Sequence, residues 1–577
     1  MVSLAAMVPA VRRVGGLAAT SKRSRAEVVR KGALAVLLGL SLGRTNPGQA
    51  LTDGAVPART RVELDVPVLS DEQLLDHTEA RAARYMWEQA FTTNGFVRDT
   101  TNSAQASIGA TGFGLAALVV IAERYGSSPE WTVTPGQAKA RAQQILDAMV
   151  QIQALQQSDS ALYGKAGALY HFVDQNGKRF ESSEVSTADM ALLVAGALTA
   201  GQYFGGTVRQ RSNEVAENVD WSYFFDPGTS RFYHAWRPEL TPEFGVVPPD
   251  EDGYLSFQLW DRPTDEILLI SLLALASDLG NEGFAKSLYG FPRVTRTYAG
   301  NDVVNSYFGS LFTYIFAHIF FDFEALGPDD PVSLGVPVQP VDWFQNAKSG
   351  ALANRQFAID QASTYATYGP NQWGLSASYR PDGSYFGENG AKPAEANSGE
   401  PIHDGTIPPY GAISSMPLVR TSPTENLADN LAFQALRNYH DNHFEGLWGP
   451  YGPLDSFRTT LIDEQPVTEY AQLNVGIDVG PEVLMIENYR TGLVWRQFMR
   501  HPSILVAVKR QFPGAVLAGV GGVAELSDVA ATPSRAEPSS APGAFVAALV
   551  AALSILGFGC GVWFARRRRS QRATIRG

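Results

Sequence analysis

Three stretches of this 577-residue chain are apolar on every side, and they limit the fold more than any other feature. They are Met190–Ala200 (MALLVAGALTA), Ile267–Ser277 (ILLISLLALAS) and Val303–Phe323 (VVNSYFGSLFTYIFAHIFFDF). A helix without a polar face is either a membrane span or the inner layer of a large protein. The first two are shorter than the roughly 20 residues a span requires. The third is long enough, but Asn305, Ser306 and His318 interrupt it, so it reads as another inner-layer helix. Between these runs lie amphipathic segments such as Pro135–Gln156, with Ile145, Met149 and Ile152 on one side. A further helix is expected over Leu74–Tyr85, behind the N-cap and first-turn acids Ser70-Asp71-Glu72. Apolar inner helices with amphipathic outer ones predict an all-α fold of two concentric layers, an α/α barrel. Alternating Val, Ile and Thr are scarce, which argues against a large sheet.

The ends differ from the body. Lys22, Arg23, Arg25, Arg30 and Lys31 precede the uncharged run Gly32–Gly43, and Gly48-Gln49-Ala50 offers small residues for cleavage. Residues 1–50 are therefore expected to be an export signal, with 51–74 a lead-in. Near the other end, Ala531–Gly543 is rich in Pro, Ser and Ala within an expected stalk over 526–543. The uncharged run Ala544–Ala565 is long enough for a transmembrane helix. The basic tail 566–577, opening on Arg566–Arg569, would then remain cytoplasmic. These features place the body, residues 75–525, outside the cell membrane. Formal charge is −12 overall. Residues 1–50 hold eight Lys/Arg and one acid, and 566–577 hold six Arg, so the stretch between them carries −25. Such an acidic body repels phosphate backbones and argues against nucleic-acid binding. Cys560 is the sole cysteine, which rules out intramolecular disulfides and Cys-cluster metal sites.

The loops between the apolar runs are dense in aromatic and polar residues: Trp221–Trp236, Tyr254–Trp260, Tyr365–Tyr385 and Phe444–Tyr451. Aromatic faces stack on pyranose rings while Asp, Asn, Gln and Arg bond hydroxyls, so a saccharide partner is expected; the same aromatics could equally plug a barrel mouth. Nine motifs recur in a fixed order. They begin with Thr111–Ala117 (TGFGLAA), Glu184–Asp189 (EVSTAD) and Thr264-Asp265-Glu266. Ala353–Phe357 (ANRQF), Asn371–Ser378 (NQWGLSAS) and His403–Thr406 (HDGT) follow. The last are Leu447–Gly452 (LWGPYG), Gly476–Pro481 (GIDVGP) and Met485–Leu493 (MIENYRTGL). In this order, over roughly residues 85–505, the chain resembles the bacterial glucoamylase-like family that contains the endo-β-1,2-glucanases. The resemblance implies a single (α/α)6 barrel, secreted or periplasmic, hydrolysing β-1,2-glucan with inversion. Related clans include transglycosylases on the same polymer. Two positions depart from the family pattern: Val479 stands where Gln is usual, and Asp265 where Asn is usual.

Inverting hydrolysis needs a protonated acid at the leaving oxygen and a base that holds water on the opposite face. Glu266 is the expected acid, opening an apolar helix beside Asp265 and Asp261. Asp189 is the first candidate for the base and Asp404 the second; Asp478 and Asp99 are further candidates. One of Asp189, Asp404 or Asp478 should face Glu266 across the barrel mouth. Glu184, Arg355, Trp373, Trp448, Asp478, Tyr489 and Arg490 are expected sugar contacts, although Arg490 could instead pair with Glu487. The histidines His171, His234, His318, His403 and His443 show no metal spacing, so neither metal nor cofactor is expected. The protein is expected to act as a monomer. A non-catalytic, surface-tethered glycan-binding barrel is the alternative to the enzyme.

Overall fold

The computed structural model describes residues 66–516 apart from 240–244, 249 and 251. The expected export signal, stalk, transmembrane helix and basic tail lie outside the described residues. Among those that are described, no helix is long and apolar enough to cross a membrane.

Along the chain, outer and inner elements alternate six times. The first pair is α1 (Asp71–Glu88) and α2 (Ile108–Arg124), the second α3 (Pro135–Leu155) and α4 (Thr187–Phe204), the third α5 (Gly206–Glu217) and α6 (Asp265–Ser277). The fourth is the short α7 (Glu282–Ser287) with a turn-rich inner stretch over 311–321. The fifth is α8 (Trp343–Asp360) and α9 (Pro409–Ile413), the sixth α10 (Leu431–Leu447) and α11 (Gly476–Arg490). The inner members are buried on nearly every side, whereas the outer ones bury one stripe. This is the (α/α)6 barrel, all-α in its framework as expected. The strands are short. The largest sheet has four, β1 (Val185–Ser186), β2 (Ala235–Arg237), β3 (Gly245–Val246) and β4 (Tyr254–Ser256), in the antiparallel order β1-β2-β4-β3.

Local chemistry sets where the helices begin. Ser70 caps α1 in a capping box with Gln73, so that helix starts at Asp71 rather than Leu74. Ser107, Ser186 and Thr264 cap α2, α4 and α6 by accepting from Ala110, Asp189 and Ile267 backbone N–H groups. α2, α4 and α11 run parallel. A methyl on Gly109 would meet Asp189 and Ile477, one on Gly112 would meet the Leu192 carbonyl, and one on Gly480 would meet Phe113. Gly196 of α4 lies against the Gly112 carbonyl, so two inner helices touch backbone to backbone there. Gly196→Ala should therefore overpack the barrel and cost about 1–3 kcal/mol. Gly136, on outer α3 with open space around its Cβ position, should accept Ala with no loss. Urea unfolding of the two variants checks the contrast.

One expectation is corrected. Val303–Phe323 is not a continuous helix: Asn301–Val304 is a strand, Leu311–Tyr314 a 3-10 turn, and turns continue to residue 320. Its hydroxyls compete with the helical ladder. Ser306 Oγ accepts from Gly309 N, Thr313 Oγ1 donates to the Ser310 carbonyl, and the Tyr314 hydroxyl accepts from Ser306 N. Gly309, at φ +71°, fits closely beneath the Ala391 carbonyl. The segment still supplies the buried fourth inner position.

Candidate active site

Because these inner helices are parallel, the residues in and just before their first turns collect at one end of the barrel. Seven carboxylates meet there: Asp99 ahead of α2, Glu184 and Asp189 at the start of α4, Glu266 on α6, Asp455 ahead of α11, and Asp478 and Glu482 on its first turns.

Glu266 is part-buried in the first turn of α6. Burial, then the charge of Asp189, raise its carboxyl to about 8, against an opposing hydrogen bond with Thr264; Asp265 adds a smaller push upward. Its neighbour Asp265 turns the other way, into the wall. One of its oxygens, Oδ2, accepts from Ala317 N (2.9 Å), His318 N (3.2 Å) and His318 Nδ1 (2.8 Å), and His318 Nε2 lies 3.1 Å from the Trp343 carbonyl. The Asp265 carboxylate is thus taken up by donors of the barrel wall.

Asp189 is fixed from two sides. Ser186 Oγ donates to its Oδ2 at 2.5 Å, and His171 Nε2 lies 3.5 Å from its Oδ1. Glu184 Oε1 is 3.1 Å from His171 Nδ1, and Arg237 donates to Glu184 Oε2 at 2.8 Å. Burial disfavours the Glu184 charge, but His171 and Arg237 outweigh it and bring the carboxyl to about 2. Burial lowers His171 as well, yet Asp189, Glu184 and Asp99 together raise it to about 9. Asp99 rises to about 6 through burial, opposed by His171 and by a hydrogen bond from Gln105. Asp455 and Asp478 form a second, buried pair. Burial raises both, and each carboxyl lies in hydrogen-bond reach of the other. Tyr379 N donates to Asp455 Oδ2 at 2.6 Å. The acids form an arc: Asp189 acts on Glu266 and Asp99, Asp99 on Asp455, and Asp455 on Asp478 and Glu482.

The structure divides the expected site residues. Glu266, Asp189, Glu184 and Asp478 are in or beside the arc. Asp404 is not joined to it. Burial opposes its charge, but hydrogen bonds from Thr406 and Arg380 prevail and hold its carboxyl below the usual range. Arg380 Nε lies 2.7 Å away and Arg458 Nη1 3.4 Å. It is a carboxylate consumed by two arginines in a neighbouring loop. Trp373 is corrected as a sugar contact: it is fully buried, with the Tyr439 hydroxyl bridging its backbone N and carbonyl, and shows no face to a ligand. Trp448 packs on Phe444 and His440 of outer α10. Arg355, on outer α8, donates to the Pro370 carbonyl. Tyr489 and Arg490 end α11, about 17 Å along its axis from Asp478 at 1.5 Å per residue. There Tyr489 bonds Glu425, and Arg490 pairs with Asp76 and the buried Glu79 rather than with Glu487. Glu487 pairs with Arg124 instead. These two residues brace the opposite end of the barrel.

Sequence reasoning missed Asp455, which lies just beyond the LWGPYG motif, and it set His171 aside for want of metal spacing. The usable signal for His171 was its place in the same loop as the EVSTAD motif.

Residues 259–502 match the Glycoamylase family model, described as Putative glucoamylase. The exo beta-1,2-glucooligosaccharide sophorohydrolase (non-reducing end) of Parabacteroides distasonis is 27% identical over 484 residues, 77% of this chain and 58% of that protein. This chain therefore spans less than two thirds of the curated relative's length. Two solved structures share the fold. The endo-beta-1,2-glucanase from Chitinophaga pinensis superposes with a TM-score of 0.61 at 22% identity, covering 77% of this chain and 98% of that one. The beta-1,2-glucanase from Parabacteroides distasonis gives 0.59 at 23%, covering 77% and 60%. Over residues 259–502 the chain is thus similar to the glucoamylase-like family, and over most of the described residues it shares the fold of the solved β-1,2-glucanases.

Proposed function

We propose that the protein is a glycoside hydrolase acting on β-glucan, with β-1,2-glucan its substrate and inversion its outcome. The observation that carries this reading is a carboxyl kept protonated near neutrality, Glu266, beside a carboxylate fixed in an ion pair, Asp189. Glu266 donates its proton to the leaving oxygen. Asp189 holds the water that attacks the anomeric carbon from the other face. The β-1,2-glucan activities named for the relatives support the choice of polymer. A second placement of the base rests on Asp455, whose Oδ1 is buried without a donor other than its partner acid. The expected export signal and C-terminal span would present the barrel outside the cell.

The test incubates the protein with linear β-1,2-glucan and a panel of β-1,3-, β-1,4- and β-1,6-glucans, reading reducing ends and, by proton NMR, the first anomer released. An α-anomer from the β-1,2 polymer is expected. No release from any glucan, with binding retained, would favour the glycan-binding alternative. Asp189→Ala and Asp455→Ala, each with added azide, place the base: azide should restore turnover, as a glycosyl azide, only where the base is missing.

The acid also fixes a pH limb. Glu266 works only while protonated, and its carboxyl is raised to about 8. Activity should therefore persist well above the ordinary carboxylate range of about 4 and fall as pH rises through about 8. A kcat/KM profile with its alkaline limb near 5 would show that burial does not hold the proton.

A further inference from the structure

We propose that His171 is a positioning residue for the reaction just assigned: as an imidazolium bridging Glu184 and Asp189, it holds the Asp189 carboxylate aimed at the site. The inference rests on that functional reading and adds a residue to it. The geometry is two-sided, with Nδ1 3.1 Å from Glu184 Oε1 and Nε2 3.5 Å from Asp189 Oδ1. An ionised carboxylate only accepts, and a neutral imidazole carries one proton, so a neutral ring would leave one nitrogen lone pair facing an oxygen. With both carboxylates charged, both ring nitrogens carry protons. The backbone that carries the ring is held on both sides, and one ring face is covered. His171 N donates to the Glu184 carbonyl at 2.7 Å, its carbonyl accepts from Ile108 N at 3.0 Å, and its face stacks on Phe172 at 3.8 Å between centroids.

The charges around the ring close. The anionic groups facing it are Glu184, Asp189 and Asp99, and Arg237 stands behind Glu184. Glu184 with Arg237 and Asp189 with His171 make two neutral pairs. The two other acids beside Asp189, Glu266 and Asp99, are both pushed toward the protonated form. Without the cation, Glu184, Asp189 and Asp99 face one another with no positive charge between them, which favours proton uptake by the group as a whole.

The experiment compares wild type, His171→Gln and His171→Arg in two measurements. In pH profiles on β-1,2-glucan, H171Q should lose at least tenfold in kcat near pH 6 with KM little changed. It should recover toward pH 8, its acid limb displaced upward by a unit or more. H171R, which keeps a cation able to span two carboxylates, should retain the wild-type limb. In a histidine-ring NMR titration of wild type, assigned by the signal missing from H171Q, the His171 ring should stay doubly protonated beyond pH 8. An H171Q profile parallel to wild type, or a ring titrating near 6.5, overturns the proposal. If wild type hydrolyses no glucan, the functional reading fails by itself, and the ring titration still decides whether the bridge exists.

Discussion

Replacing Glu266 by Gln should leave a folded barrel that hardly turns over. The amide keeps the side chain's size and can still accept from the same surroundings, but it has no carboxylic proton to give. General acid steps contribute about 10²–10⁴-fold, and an unactivated sugar leaving group depends on that proton most. Turnover on β-1,2-glucan should fall by at least this factor. On a glucoside with a good leaving group, such as a dinitrophenyl aglycone, which departs without protonation, the loss should be far smaller. Binding of the polymer should survive, measured by calorimetry on the variant. Near wild-type turnover on the natural polymer would remove Glu266 from the mechanism. An equal loss on both substrates would mean that the substitution disturbed the barrel rather than the proton.

The framework was legible because barrel layers leave a periodic trace. Met190–Ala200 and Ile267–Ser277 are apolar all round because each is surrounded by other helices, and both are inner helices in the structure. Ser70 announced the start of α1 through capping chemistry. The failure at Val303–Phe323 has the same physical root. Hydropathy reports burial, and that stretch is buried, but its serines, threonine and Gly309 divert the backbone from the helical ladder.

The candidate site was legible only in part. Glu266 and Asp189 could be picked out as carboxylates at helix starts, whereas Asp478, expected in a tight loop before Gly480-Pro481, lies in the first turn of α11. Aromatic and arginine side chains could not be sorted, because one residue type serves stacking, plugging and bracing alike. Trp373 fills the wall, while Tyr489 and Arg490 are about three helical turns beyond Asp478 on the same helix. Motif membership grouped them by chain order, and only the rise of α11 shows that the motif reaches both ends of the barrel. Asp455 carried no helical signal at all, since it sits in a loop and meets Asp478 by tertiary folding.

Asp265→Ala should be among the most destabilising single changes in the chain. Asp265 is 2% exposed and gathers three donors on one oxygen: Ala317 N, His318 N and His318 Nδ1. Truncation leaves both backbone N–H groups and a buried histidine without their acceptor. Each buried donor left without its acceptor costs about 1–3 kcal/mol, and three are left here. The loss should appear as a lower urea midpoint at an unchanged slope. Asp265→Asn separates charge from geometry. Its amide oxygen can still accept from the two backbone groups, so it should lose much less, and removing His318 as well should recover part of the alanine variant's deficit. The same series reads out on Glu266. Asp265 is the smallest of the influences raising that carboxyl, behind burial and Asp189. Asp265→Asn should therefore move the alkaline limb of activity down by less than Asp189→Asn moves the Glu266 titration. A larger shift from Asp265→Asn would mean that its carboxylate faces the site rather than the wall.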